Sequence, residues 1–511
     1  MTSKTLAEKP TILFAPHMDT SLLEMLDIAL VLEEQGKYRP LVFVHWEDHQ
    51  QALEICEKHG IEVLLYRAPG QGASRFRTEL PPISSRADGE NEARAFGSRT
   101  QGFRSVLAWG ISTTKRFLLP QLLLYLGRFY RIQIEAKSIL GELQPACLLF
   151  MSDRHVGIET ALIEAANKAG IPSLIVPFAL SESSGLAEYR LAQPGWQKVY
   201  GISGWINRYL ARTRPSWSYV FEGNTLLWNT ASWMIAAEIM GMMPANPWAL
   251  GGGKAWMMAV ESEYNKINFE EQGTPSSKMV VTGKPRYDRA AVIWKNQPVM
   301  RSEICDALGL DAGKPLLVCA VPQLAEHDFL PWPEHWREIE FLFENFSRLQ
   351  PEINTVLSLH PKSDFAEYSP RADKYNLVIA REHGYDQLIP VCDVFVATHS
   401  STVTLAVAAH KPTIIVDFYG LDYYLFKDVP GIEIVREHEK FHPLLARIFN
   451  DRTYYNRLVA GQAQAAQKFA LFDSKATERI LDLIVELVKQ GKAIRQLAKH
   501  ERRKALPPWA R

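Results

Sequence analysis

The chain has 511 residues, 47% of them apolar and 22% charged, which is too long for a single hydrophobic core and suits a globular protein of two or three domains. Lys+Arg and Asp+Glu both number 57, so overall charge does not point to nucleic acid. No run approaches the roughly 18–20 apolar residues of a spanning helix, and Met1–Pro10 lacks the apolar stretch of a signal peptide.

In chain order, Thr11–Ala15 predicts a buried strand, Pro16–Thr20 a loop and Ser21–Gln35 a helix, with Ser21 as its cap and Glu24 completing a capping box. Leu41–Val44 is the next strand, then a helix over 50–59 and a strand at Glu62–Tyr66. Gly70–Thr100 is polar and rich in Arg, Gly and Ser, which predicts a loop, and residues 103–141 predict helix with a cationic, aromatic face. Ala146–Met151 resumes the sheet, Val156–Ala169 is helical and Pro172–Val176 is another strand. This alternation predicts a parallel, doubly wound sheet.

Residues 190–275 break the pattern and hold seven tryptophans (Trp196, Trp205, Trp217, Trp228, Trp233, Trp248, Trp256), so they are taken as a helical insertion. Its aromatic rings suit an inserted core best, with acceptor sugars or lipid headgroups as the other partners to weigh. A second α/β unit follows, with strands near 279–283, 315–321, 354–359, 376–380, 393–397 and 413–417. The expected domains are therefore 1–275 with the insertion at about 190–275, then 276–450, then helices and a basic tail over 451–511. The tail from Lys489 carries eight Lys/Arg against one acid, Glu501, and would be drawn to an anionic membrane surface. Five scattered cysteines form no CxxC pair and three lie in apolar strand-like runs, which predicts buried free thiols in a reducing cytosol.

Ligands of a parallel sheet bind outside the carboxyl ends of its strands. His360-Pro361-Lys362 follows the run Thr355–Leu359, and His399-Ser400-Ser401-Thr402 follows Asp393–Ala397. Imidazole and ammonium groups neutralise phosphate, and clustered hydroxyls at a helix start add donors. An ordinary cap explains one of the three hydroxyls, and a turn explains a lone histidine. Together the two segments predict a nucleotide-phosphate pocket. In the preceding lobe, His17 and Asp19 follow the first strand and Asp153 follows Met151, which puts a candidate general base on each of two strand exits.

The run Cys392–Leu405 through His410–Ile415 resembles the donor-binding half of GT-B-fold glycosyltransferases. Val280-Val-Thr-Gly-Lys-Pro-Arg-Tyr-Asp288 resembles the turn that enters that half, and it is also similar to relatives of UDP-N-acetylglucosamine 2-epimerase. A His-Pro step with a later Ser-Ser/Thr step is similar to bacterial sialyl- and polysialyltransferases, capsule Kdo transferases and CDP-glycerol glycerophosphotransferases. The resemblance implies an α/β protein of two doubly wound Rossmann-like domains. It implies that His360, Ser400 and Ser401 hold the donor phosphate; Pro361, Lys362, His399 and Thr402 beside them, with Gly283 and Arg286 in the entry turn, complete the expected donor-binding set. Leu405 stands where many UDP-sugar enzymes carry a ribose-binding glutamate, which favours CMP- or CDP-linked donors over UDP-linked ones.

The expected activity is metal-independent transfer of a sugar from a nucleotide donor to a glycan or glycolipid in bacterial surface polysaccharide synthesis. The expected location is the cytoplasm, peripheral at the inner membrane face. Asp19 is the first candidate base, with His17 or Asp153 otherwise, and His360 the candidate acid. No metal-ligand spacing, GxGxxG, Walker A or GxSxG pattern occurs, so no metal or cofactor is expected, the nucleotide-sugar being a substrate. A 2-epimerase-like enzyme, a CDP-alcohol phosphotransferase and a non-catalytic relative are the alternatives.

Overall fold

The computed structural model describes residues 9–46, 49–66, 118–177, 182–193, 195–327, 329–360, 363–398, 400–420 and 426–511. The chain divides into two compact units. The first comprises Met1–Ala259, Lys266–Val280 and Leu481–Arg511, and the second Val260–Asn265 and Val281–Ile480.

The first unit is built on a seven-stranded sheet in the order β3-β2-β1-β4-β5-β8-β9. Its strands are β1 (Thr11–Ala15), β2 (Arg39–Val44), β3 (Glu62–Leu65), β4 (Cys147–Phe150), β5 (Ser173–Ile175), β8 (Met257–Val260) and β9 (Met279–Val281). A separate antiparallel hairpin pairs β6 (Ser218–Phe221) with β7 (Asn224–Leu227). Helices cover both faces of a parallel sheet, so its strands are apolar without alternation. Ile12, Leu13, Phe14 and Ala15 are all fully buried, as are Cys147, Leu148, Leu149 and Phe150.

The second unit carries a six-stranded parallel sheet in the order β12-β11-β10-β13-β14-β15. These are β10 (Leu316–Ala320), β11 (Asn354–Ser358), β12 (Val378–Ile379), β13 (Val394–Ala397), β14 (Thr413–Val416) and β15 (Ile432–Val435). Relative to its first strand, β10, the chain winds outward through β11 and β12, then crosses to β13 and continues the other way. The switch point is therefore the exit of β10, flanked by the exits of β11 and β13. The first sheet reverses in the same manner between β1 and β4.

Several expectations are corrected. Residues 279–283 do not open the second domain, because Met279–Val281 is the edge strand of the first sheet. The Trp-rich stretch does not run unbroken to 275, because β8 at Met257–Val260 returns to the sheet. Four of its tryptophans are core: Trp217, Trp228, Trp248 and Trp256 are buried. Arg190 stacks on that core, its guanidinium carbon 4.1 Å from the Trp228 ring, 4.5 Å from Trp248 and 4.9 Å from Tyr200.

The basic tail is folded onto the first unit. The helix Ala476–Gln496 leads to a short helix Lys499–Ala505, Arg495 donates to the Gly170 carbonyl at 3.1 Å, and Trp509 Nε1 donates to the Trp256 carbonyl at 3.0 Å. The first helix begins at Asp19, two residues early, and Ser21 is not its cap. Ser21 Oγ instead accepts from the backbone N–H groups of His17 and Met18, both at 3.1 Å, which fixes the β1 exit. The loop expected at 70–100 and the helix expected from 103 to 117 lie outside the described residues. Among the described residues, no helix is long and apolar enough to cross a membrane.

Candidate functional site

In the second unit, Ala320 of β10 is level with Ser358 of β11, and Cys319 is level with Val396 of β13. Adjacent strands lie about 4.8 Å apart, so β11 and β13 run about 10 Å apart with β10 between them. His360 is two residues beyond β11 and Ser400 three beyond β13, so both leave the same edge of the sheet on either side of the β10 exit. Both are half-buried. Ser400 Oγ lies 2.7 Å from Thr402 Oγ1 and accepts from the Thr402 N–H at 3.3 Å. Ser401 precedes the helix Thr402–Ala408 in a helical backbone conformation and makes no side-chain cap bond, so capping does not use its hydroxyl. Pro361, Lys362 and His399 lie outside the described residues.

The β10 exit supplies two residues that motif reasoning passed over. His327 lies beside His360 with ring centroids 5.9 Å apart and planes at 85°. Its neighbour Glu326 accepts from Ser363 Oγ at 2.9 Å and Tyr368 OH at 2.6 Å, joining the β10 exit to the segment after His360. The signal was in the topology: the first strand of such a sheet always exits at the switch point.

Two expected donor ligands have other work. Arg286 is paired with the buried Asp386 at 3.4 Å and lies 4.9 Å from the Tyr385 ring, at the exit of β12. Gly283 has φ of +85°, and a Cβ there would stand 2.9 Å from Ala476 Cβ. Asp288 accepts from the N–H groups of Ala476 at 2.8 Å and Thr477 at 2.7 Å. The entry turn thus seats and caps the start of the helix Ala476–Gln496. Leu405 is fully buried, so it meets no ribose. Beyond β14, Asp417 pairs with Arg436 at 3.5 Å and Phe418 stacks on His438 at 4.0 Å, a packing role, while Asp422, Tyr423 and Tyr424 lie outside the described residues.

In the first unit, Ala15 of β1 is level with Phe150 of β4, so the exits carrying His17 and Ser152–His155 share one edge. Asp153 is corrected as a base candidate. Its carboxylate and the Lys278 ammonium are both wholly buried, with Nζ donating to Oδ2 at 2.7 Å and to the carbonyls of Gly251 at 2.6 Å and Gly253 at 2.9 Å. A carboxylate so engaged has no access to a substrate proton. Asp19 is the first residue of its helix, where a carboxylate favours the positive end of the dipole.

His17 is partly exposed, and its buried Nδ1 lies 3.7 Å from Oε1 of the buried Glu159. Nε2 of His45, directly after β2, lies 3.5 Å from the same oxygen. Glu159 was not predicted, because a glutamate in the first turn of a helix reads as a dipole partner. Loss of hydration and the neighbouring Arg154 push His155 down to about 4, so it is neutral at pH 7. Among the described residues, no group of three His, Cys, Asp or Glu side chains is arranged to hold a metal ion.

No protein-family model matches the sequence, and no curated protein matches it. Solved structures do. A UDP-GlcNAc 2-epimerase from Neisseria meningitidis, bound to UDP-GlcNAc, is 11% identical over 93% of this chain and 100% of that one, with a TM-score of 0.51. A putative UDP-N-acetylglucosamine 2-epimerase from Listeria monocytogenes is 12% identical over 94% and 97%, with a TM-score of 0.50. The wall teichoic acid polymerase TagF is 12% identical over 94% and 90%, with a TM-score of 0.49. The first two likenesses establish the fold: the chain has a GT-B fold of two Rossmann-like units.

Proposed function

We propose that the protein is a metal-independent glycosyltransferase that moves a sugar from a nucleotide-activated donor onto a glycan or glycolipid acceptor of a bacterial surface polysaccharide. The observation that carries this reading is the switch point of the second sheet, where the exits of β11 and β13 present His360 and the Ser400–Thr402 hydroxyls on either side of β10. Hydroxyl donors and a chargeable imidazole on one edge suit the phosphate of a nucleotide.

In an inverting transfer, the acceptor oxygen forms the new bond to the anomeric carbon as the carbon–oxygen bond to phosphate breaks. The electron pair leaves with the nucleotide, and the acceptor proton passes to a base. His17 is the preferred base over Asp19, because its Nδ1 faces the Glu159 carboxylate while the rest of the ring is accessible. His360 neutralises the departing phosphate and, when protonated, donates to it. The resemblance puts Leu405 where many UDP-sugar enzymes carry a ribose-binding glutamate, and on that ground CMP- or CDP-linked donors are preferred. A basic surface on the tail supports a peripheral position at the inner membrane face.

A thermal-shift panel of UDP, CMP, CDP and GDP tests the donor site, since a ligand at a hundred times its Kd adds about 2.7 kcal/mol of stability. No shift with any of the four would remove the donor-site assignment. A nucleotide-sugar epimerase is the competing reading, favoured by the fold of the Neisseria meningitidis protein. Incubation with UDP-N-acetylglucosamine alone separates the two, because only an epimerase yields a C2-inverted product without an acceptor.

A further inference from the structure

We propose that the helix Trp205–Thr213 is a membrane-docking element whose outer face, formed by Trp205, Arg208, Tyr209 and Arg212, lies in the headgroup layer of an anionic bilayer. This rests on the peripheral position proposed above and names the surface that makes it.

The helix divides by exposure. Leu210 is buried and Ile206 half-buried on its inner side, whereas Trp205, Arg208, Tyr209 and Arg212 are exposed. Their spacing of three, one and three residues puts all four on one side of a 3.6-residue turn. The helix has a firm seat. Asn207 Nδ2 donates to the Gly201 carbonyl at 2.7 Å, and the Arg214 N–H donates to the Leu210 carbonyl at 2.8 Å. The turn that follows is pinned to the tryptophan core: the Trp217 N–H donates to the Arg214 carbonyl at 2.9 Å, and the Trp228 N–H to the Trp217 carbonyl at 2.9 Å.

Trp205 is 73% exposed and Tyr209 60%, in a stretch where Trp217 and Trp228 are buried. Folding therefore leaves two large rings in water on one face, and such a face marks a partner. Charge selects that partner. From Gly195 to Phe221 the chain carries Lys198, Arg208, Arg212 and Arg214 and no acidic residue. Arg214 is taken by Glu238 at 3.4 Å. Among the described residues neither Arg208 nor Arg212 meets a carboxylate, and Arg208 donates to the Ser203 carbonyl at 3.0 Å. Tryptophan and tyrosine settle where one end is apolar and the other wet, and arginine reaches phosphate from there while its stem stays with the acyl chains. A sugar ligand needs a concave site, and this face is the outside of a helix.

The test sediments the full chain with vesicles of phosphatidylcholine alone and of phosphatidylcholine mixed with phosphatidylglycerol. The wild type should partition onto the mixed vesicles far more strongly, and less so as salt is raised. Trp205→Ala/Tyr209→Ala should weaken this partitioning about tenfold or more, the value of taking two aromatic rings out of water. Arg208→Glu/Arg212→Glu should weaken it further, since each cation near such a surface contributes about fivefold. Both variants should melt as the wild type does, because all four side chains are exposed.

A tail variant, Lys499→Glu/Arg503→Glu/Lys504→Glu, separates the two basic surfaces. If it alone loses binding and both helix variants sediment like the wild type, the helix assignment is overturned and the peripheral position stands. Failure of the wild type to sediment with the mixed vesicles overturns both and leaves the donor site untouched. Equally strong retention on soluble dextran sulfate, lost in Trp205→Ala/Tyr209→Ala, overturns the choice of a lipid surface.

Discussion

Replacing Asp153 separates a structural carboxylate from a catalytic one. Asp153 and Lys278 are wholly buried and bonded at 2.7 Å, and the ammonium also holds the carbonyls of Gly251 and Gly253. Asp153→Asn leaves the size nearly unchanged but strands a buried ammonium, which costs about 3–5 kcal/mol. For a unit of this size, that lowers the unfolding midpoint by about 6–20 °C. Burial already lowers the pKa of Lys278, and Asp153 opposes the shift. Without Asp153 the pKa falls further, so the folded state sheds the proton while the unfolded state keeps it up to its ordinary value. Stability then rises with pH through that window, and the deficit at pH 7 should shrink by pH 9.5.

Thermal and urea unfolding followed by circular dichroism measures this, with Asp153→Leu/Lys278→Met as the partner variant, expected within about 2 kcal/mol of wild type because no charge is left unpaired. A catalytic base would behave oppositely: Asp153→Asn would keep its melting point and lose about 10²–10⁴ in turnover. An unchanged melting point in the asparagine variant would refute the buried-pair account.

His360→Ala should weaken nucleotide binding about 10–100-fold, the value of a charge-assisted hydrogen bond, with an unchanged circular dichroism spectrum; calorimetry with CDP and UDP checks it. Gly283→Ala should destabilise the second unit by at least about 1 kcal/mol, since alanine disfavours φ of +85° and its Cβ would crowd Ala476. Asp288→Ala should cost about 1–2 kcal/mol by removing the cap on Ala476 and Thr477; urea midpoints measure both. All five cysteines are buried, and burial pushes Cys56, Cys147 and Cys392 up to about 12, so a thiol reagent at pH 8 should label none before the protein unfolds.

The strands were legible because a parallel sheet buries both faces, and runs such as Ile12–Ala15 and Val394–Ala397 announce this without any partner. The His360 and Ser400 segments followed from the same rule, being polar residues directly after such runs. What the sequence hid is long-range. Asp153 looked like a loop acid until Lys278, 125 residues away, was seen to neutralise it. Gly283 and Arg286 looked like ligand residues because a tight turn before a helix serves phosphate and packing equally well, and the helix that Gly283 and Asp288 seat begins at 476. Glu159 and His327 gained meaning only from their neighbours His17, His45 and His360.

The first unit is discontinuous in sequence, with residues 281–480 intervening before its segment Leu481–Arg511. On the ribosome the segments before residue 281 must therefore wait for residues 481–511, a delay of about 10–40 s for the intervening 200 residues at 5–20 residues per second. During that interval Trp256 lacks Trp509 and Gly170 lacks Arg495. Packing around Trp256 and Gly170 is thus completed only by residues more than 250 positions later in the chain, so a lesion at Arg495 or Trp509 would be felt in a layer laid down long before it.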